Sequence, residues 1–156
     1  MKGNSLLLDA LNQNLANEFT AVQQYIVHAG IARNYGYDGL ADYIQKRADE
    51  EREHSQKLID RILFLEGNPI VTKLNLINIA YEIPAQFVND HTAEIIAING
   101  YNSAIALAVQ VGDNSTRSYL EEILNDEIEH INVIENYQTQ INRMTLPNWL
   151  VTQVES

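Results

Sequence analysis

Asp49-Glu50-Glu51-Arg52-Glu53-His54 sets a carboxylate and an imidazole three residues apart inside an otherwise amphipathic run. At helical spacing Glu51 and His54 share one face. That face is the wrong one for a surface pair, because the positions around it are Leu40, Ile44, Leu58, Ile62 and Leu65, spaced for a helix packed on a core. The pattern returns at Asp126-Glu127-Ile128-Glu129-His130, flanked by Thr116, Leu120, Ile123, Ile134, Tyr137 and Ile141. Two helices therefore each carry Glu-x-x-His on the stripe that should be buried, and the fold class read from them is all-α.

The chain has 156 residues, one domain's worth by the usual relation of length to core size. It has no cysteine, which removes disulfides, thiolate metal sites and thiol nucleophiles, so any metal must take oxygen and nitrogen ligands. Twenty-one acidic against ten basic residues give a formal charge of −11, which repels nucleic acid and anionic lipid and attracts cations. Met1-Lys2-Gly3-Asn4 leads straight into an amphipathic pattern, and no apolar run approaches membrane-spanning length. The expectation is a cytoplasmic protein with no membrane and no nucleic-acid partner.

Outward from the two motifs, the pattern predicts helices over about 5–34, 39–65, 84–111 and 115–143, and a short one over about 146–154. Ser5 is a candidate cap for the first, whose seam is Leu8, Leu11, Leu15, Glu18, Val22, Tyr25, Ala29 and Ala32. Tyr35-Gly36-Tyr37-Asp38-Gly39 supplies a tight turn to an antiparallel second helix, which Gly67-Asn68-Pro69 should stop. The aperiodic stretch from Gly67 to Ile83 is long for a loop. A helix of 26 residues is roughly 40 Å long and a linker of about 16 residues reaches roughly 50 Å, so the linker can return along the bundle and leave the second and third helices parallel. Pro84 suits a first-turn position, and the third seam reads Phe87, His91, Glu94, Ile98, Tyr101, Ile105 and Ala108. Gly112-Asp113-Asn114-Ser115 reads as a turn plus cap.

The second half repeats the first at a fixed offset of 76 residues: Glu18 falls on Glu94, Tyr25 on Tyr101, Gly36 on Gly112, Tyr43 on Tyr119, Glu50 on Asp126, Glu51 on Glu127 and His54 on His130. Two copies of one helix hairpin pack about a pseudo-twofold axis, which brings the polar interruptions of all four seams to one level. Four carboxylates there would repel one another and pay desolvation several times over. Two divalent cations cancel that charge, and two neutral imidazoles complete the ligand set. Carboxylate with imidazole and no sulfur suits iron or manganese, with zinc as competitor.

These residues, with Met1-Lys2-Gly3, Asn17-Glu18 through Tyr25, Arg61-Ile62-Leu63-Phe64-Leu65-Glu66-Gly67 and Ile123-Leu124, resemble the bacterioferritins along essentially the whole chain. The resemblance implies a ferritin-like four-helix bundle with a long crossover between helices 2 and 3 and a short fifth helix, in one domain over residues 1–156. It makes Glu18, Glu51, His54, Glu94, Glu127 and His130 ligands of two iron ions per subunit, with Glu51 and Glu127 bridging. It gives Tyr25 a role beside the di-iron site, donating an electron or hydrogen-bonding a ligand. It further implies a homo-oligomer of 24 subunits that oxidises Fe(II) with dioxygen or peroxide and stores ferric mineral, with a ferredoxin-like reductant for iron release.

Two positions depart from that pattern. Family members ligate haem through a methionine one residue after the first bridging glutamate, where this chain has Arg52, which offers iron no lone pair. Haem is therefore not expected in a homo-oligomer; it would need a mixed shell with a haem-binding subunit. Lys46 stands where members can carry a histidine, which argues against an auxiliary iron site on the inner surface. His91 reads as a buried, hydrogen-bonded histidine on the third seam, and His28 carries no assignment. Among rival classes, a di-iron peroxidase or oxygenase acting in oxidative stress without mineral storage is the alternative. A DNA-protecting shell lacks its basic arm, and a purely structural bundle leaves six buried polar residues to hydrogen bonds alone.

Overall fold

The computed structural model describes residues 1–155. Its helices are α1 (Ser5–Asn34), α2 (Asp38–Phe64), α3 (Ile83–Gln110), α4 (Asn114–Met144) and the short α5 (Leu146–Val151), with no strand among the described residues. The first four form a bundle in which α1 lies between α2 and α3, and α5 turns back onto the end of α4. No helix is long and apolar enough to cross a membrane among the described residues.

Helix ends follow the local chemistry, with some shifts from expectation. Asn4, one residue before the expected serine, caps α1: its side chain accepts from the Leu6 and Leu7 N–H groups at 2.9 and 3.2 Å. Asp113 does the same for α4, accepting from Thr116 N–H at 3.0 Å. α1 and α3 end alike. Gly36 and Gly112 sit at φ 86° and 77°, and the next residue's N–H returns five residues back, Tyr37 to Ala32 at 3.0 Å and Asp113 to Ala108 at 2.8 Å. At the end of α2 the left-handed position is Glu66 (φ 61°), not Gly67. Gly67 serves a close approach instead, since a Cβ there would meet Leu8 Cδ2 at 2.6 Å. α5 ends at Val151, short of the expected 154.

The crossover from Leu65 to Glu82 runs alongside α1, and a row of α1 side chains one or two turns apart satisfies its backbone. Ile70 N–H donates to Asn12 Oδ1 (2.8 Å), Asn75 N–H to Thr20 Oγ1 (2.8 Å), Asn78 N–H to Gln24 Oε1 (3.1 Å) and Ala80 N–H to His28 Nε2 (3.0 Å). These bonds stand in for the ladder that an irregular segment lacks. They also carry the chain to the far end of α1, so α3 runs antiparallel to α1 and parallel to α2.

The apolar core comes in two parts. Leu7, Leu11, Leu15, Leu58, Ile62, Ala97, Tyr101, Ala104, Leu120 and Ile123 pack at one end of the bundle. Ala29, Ala32, Leu40, Ile44, Ile83, Phe87, Ile134 and Trp149 pack at the other. The seam of α3 is shifted from expectation: Asp90, Ala97 and Ala104 are buried, whereas His91, Ile98 and Ile105 are half-buried. α3 is apolar nearly all round, with Val88, Ile95, Ile96 and Val109 exposed, so hydrophobicity does not single out its inner face. Ala97 and Ala104 pack in one cluster with Leu7, Leu11 and Leu15 of α1.

Candidate metal centre

Between the two apolar clusters lies a polar layer. Glu18 from α1, Glu51 and His54 from α2, Glu94 from α3, and Glu127 and His130 from α4 are each at most 2 % exposed. The two histidines turn Nδ1 inward. His54 Nδ1 lies 2.7 Å from Glu127 Oε1, 3.1 Å from Glu51 Oε2 and 3.6 Å from Glu18 Oε1. His130 Nδ1 lies 2.9 Å from Glu51 Oε1 and 3.7 Å from Glu94 Oε1. Two donor sets result, Glu18/Glu51/His54/Glu127 and Glu51/Glu94/Glu127/His130, in each of which the donor atoms lie within 4.8 Å of one another. Glu51 and Glu127 belong to both, so each set shares two carboxylates with the other.

The donors fit a metal better than they fit each other. Glu18 Oε2 and Glu94 Oε2 are buried without a hydrogen-bond partner, and Glu51 Oε1, Glu127 Oε1 and His130 Nδ1 make no well-aligned hydrogen bond despite their close carboxylate–imidazole contacts. Leaving five buried polar atoms in one layer without a well-aligned hydrogen bond is costly. All five belong to residues of the two donor sets, where oxygen and nitrogen ligands without sulfur suit Fe, Mn or Zn.

Charge tells the same story. Burial, then the neighbouring carboxylates, pushes Glu51 and Glu127 well above the usual carboxylate range. Burial also acts on Glu94, but contacts with His130, Glu127 and Tyr25 outweigh it and hold that group low. Both imidazoles are pushed up: burial opposes their charged form, and contacts with Glu127, Glu18 and Glu51 at His54, and with Glu94 at His130, prevail. A cluster of like charges in a dry core thus takes up protons when no other cation is offered.

Glu94 and Glu18 are each held by a tyrosine from the opposite hairpin. Tyr25 Oη donates to Glu94 Oε1 at 2.5 Å, and Tyr101 Oη donates to Glu18 Oε1. Burial, reinforced by the carboxylates, pushes both phenols well above their ordinary value, so both stay donors. Tyr101 therefore stands in the same relation to the cluster as Tyr25, its repeat mate, although the resemblance gave a role only to Tyr25.

Two further residues were within reach of sequence reasoning. The outward Nε2 of His54 is 2.9 Å from Asp126 Oδ2, and that of His130 is 2.7 Å from Glu50 Oε2. A carboxylate on the second nitrogen fixes ring orientation and tautomer. Glu50 and Asp126 coincide at the repeat offset, which was the available signal. His91 corrects an expectation: it is 30 % exposed and pairs with Glu135 at 2.9 Å, because Asp90 takes the inward position. His28 carried no assignment, yet it is fully buried. It accepts from Ala80 N–H through Nε2, which leaves Nδ1 as donor to Asp90 Oδ1 at 2.8 Å; Gln24 donates to the same oxygen at 2.9 Å. Arg52 is largely exposed and lies 3.4 Å from Asp49.

An open cavity of about 280 Å³ reaches the outer edges of His54 and His130, lined by Lys46, Arg47, Glu50, Glu53, Asp126 and Glu129. Its polar, mainly acidic wall suits a small cation.

Comparison with known proteins agrees with this architecture. Residues 8–144 match the model of the ferritin-like domain family. The chain is 32 % identical over 144 residues to a bacterioferritin of Mycolicibacterium paratuberculosis, covering 92 % of this chain and 89 % of that one. It is 30 % identical over 155 residues to a bacterioferritin of Streptomyces coelicolor, covering 99 % and 93 %. A bacterioferritin of Rhodobacter capsulatus is 32 % identical over 145 residues, covering 92 % and 89 %.

Proposed function

We propose, for a chain that belongs to the bacterioferritin family of ferritin-like proteins, that it oxidises Fe(II) at the buried carboxylate–imidazole layer and stores the ferric product. The observation that carries this reading is the pair of four-donor sets sharing Glu51 and Glu127, with five of their atoms in no well-aligned hydrogen bond. Iron is the substrate and supplies the redox chemistry, giving electrons to dioxygen or peroxide. The chain's residues do the rest. Glu51 and Glu127 bridge the two ions, Glu18 and Glu94 are terminal ligands, and His54 and His130 bind one ion each. Tyr25 and Tyr101 hold the terminal carboxylates in place. Glu50 and Asp126 keep both Nδ1 atoms turned inward. The two apolar clusters exclude bulk water from either side of the layer, which strengthens every contact within it.

Storage implies a closed shell, for which the family pattern gives 24 copies of this chain in one domain each. Large apolar side chains exposed on the bundle, among them Leu63, Phe64, Leu76, Tyr81 and Ile96, are consistent with burial between copies. Arg52 leaves the shell without bis-methionine haem. The polar wall of the cavity favours an ion over an organic substrate, which sets storage above oxygenase chemistry.

The test is an anaerobic Fe(II) titration of metal-free protein, followed by admission of air while ferric absorbance is recorded. Two irons per chain and oxidation much faster than in buffer are expected. Saturation below two, or oxidation at the rate of buffer alone, would refute the reading.

A further inference from the structure

The two donor sets are related by the repeat, but their surroundings are not. At the offset of 76, Arg47 falls on Ile123 and Lys46 on Glu122, so one half of the layer has two cations where the other has none. Arg47 is only 13 % exposed in its side chain and lies against Glu50, with NH2 2.5 Å from Oε1; Lys46 Nζ approaches the same oxygen at 4.0 Å. Glu50 is the carboxylate that holds His130. Arg47 also lines a small cavity with Tyr25, Asp90 and Glu94. The repeat mate of Glu50 on the other half, Asp126, holds His54 with no lysine or arginine within 4.0 Å among the described residues. Asp90, whose repeat mate is Asn14, restores one negative charge against the two cations on the Glu94 side.

We infer that the two metal positions are unequal, and that Arg47 makes Glu94/His130 the weaker one, so that a divalent cation fills Glu18/His54 first. The inference rests on the two-metal reading above. A carboxylate that shares its charge with a guanidinium polarises its imidazole less than a free one, and ligand basicity follows. The guanidinium, largely buried and lining a small cavity with Glu94, also acts on that half of the layer with its charge only partly screened. Loading is then ordered, and the second position is the labile one through which an ion can leave.

Anaerobic Co(II) titration of the metal-free full-length protein, followed by d–d absorbance and calorimetry, tests this without turnover. Repulsion between two ions separates their binding steps even in a symmetric site, so the variants decide. With Glu94/His130 the weaker position, Arg47→Gln tightens the second step about tenfold and narrows the gap, and Asp126→Asn weakens the first step about tenfold and also narrows it. In a site with equal halves either change would widen the gap, and that result overturns the inference. Asp126 is half exposed, so its variant keeps the fold should Arg47→Gln fail to assemble. Two Co(II) per chain with a widened gap would leave the two-metal reading standing. Fewer than two in the wild type would overturn that reading and this inference with it.

Discussion

Adding a divalent metal to the metal-free protein should expel protons, and the site fixes how many. Donor atoms of Glu18, Glu51, His54 and Glu127, and of Glu51, Glu94, Glu127 and His130, lie within 4.8 Å of one another. Two unit charges at that distance repel by about 3.5 kcal/mol at an effective dielectric of about 20. The metal-free fold relieves this by keeping Glu51 and Glu127 neutral, through burial and the neighbouring carboxylates. Both imidazoles are kept charged, their contacts with carboxylates overcoming burial. Four protons therefore stand where two divalent ions bring the same charge, and the layer's total is unchanged by the exchange. Near pH 6 the release on loading two Co(II) or Zn(II) per chain should approach four protons. Weakly buffered titration with a pH indicator reads it directly. Glu127→Gln removes one of the four and should bring the count to three or fewer. Two metals bound with at most one proton released would refute the charge assignment of the whole layer.

The same shifts set a pH dependence of stability. Because Glu51, Glu127, His54 and His130 are all raised in the folded chain, their contribution is fully present below the unfolded pKa values and is lost as pH rises through the folded ones. Metal-free protein should thus melt lower at pH 8.5 than at pH 6, a difference that saturating Zn(II) removes; an unchanged or reversed order in thermal circular dichroism would count against it. Tyr25→Phe deletes the 2.5 Å hydrogen bond to Glu94 Oε1. It should slow Fe(II) oxidation while keeping two metals per chain, with Tyr101→Phe, acting on Glu18, as the matched case; loss of a metal in either would mean a ligand role. His28→Leu strips Asp90 of one donor and leaves Ala80 N–H unpaired. A loss of about 2–3 kcal/mol is expected from denaturant melts, with faster amide exchange near Ala80; a change below about 0.5 kcal/mol would show that the crossover is held otherwise.

What could be read in the sequence depended on contrast along each helix. α2 and α4 are charged outside and apolar inside, so Glu51, His54, Glu127 and His130 stood out as intrusions and their positions followed. α1 and α3 carry apolar residues on every side, and the inner face of α3 was misread by one position, at the expense of Asp90 in favour of His91. No period in α3 carries this, because Ala97 and Ala104 are buried in a cluster shared with leucines of α1, a contact between helices. The burial of His28 was equally hidden. Its partner Ala80 lies in the crossover, whose course is fixed by backbone bonds to α1 side chains that leave no mark on hydrophobicity. Glu50 and Asp126 were visible as a repeated pair, yet their hold on the histidines needed the antiparallel register of α2 against α4.

That register explains why the layer works as one object. The tyrosine and carboxylate ties to the cluster cross between the hairpins: Tyr25 to Glu94, Tyr101 to Glu18, Asp126 to His54 and Glu50 to His130. Neither hairpin alone presents a complete donor set, since each set draws on both. A duplicated hairpin thus yields a paired site only when the two copies dock, and metal affinity becomes docking energy by linkage. The apolar clusters on either side bear the rest of that docking, which leaves the layer free to keep unpartnered carboxylates at its centre. It also leaves residues such as Arg47 and Ile123 free to diverge, one holding charge at the edge of the cluster and the other packed in the core. The symmetry of the donor residues and the asymmetry of their surroundings then have separate causes, the first matching the sequence repeat and the second permitted by the fold's division into two cores.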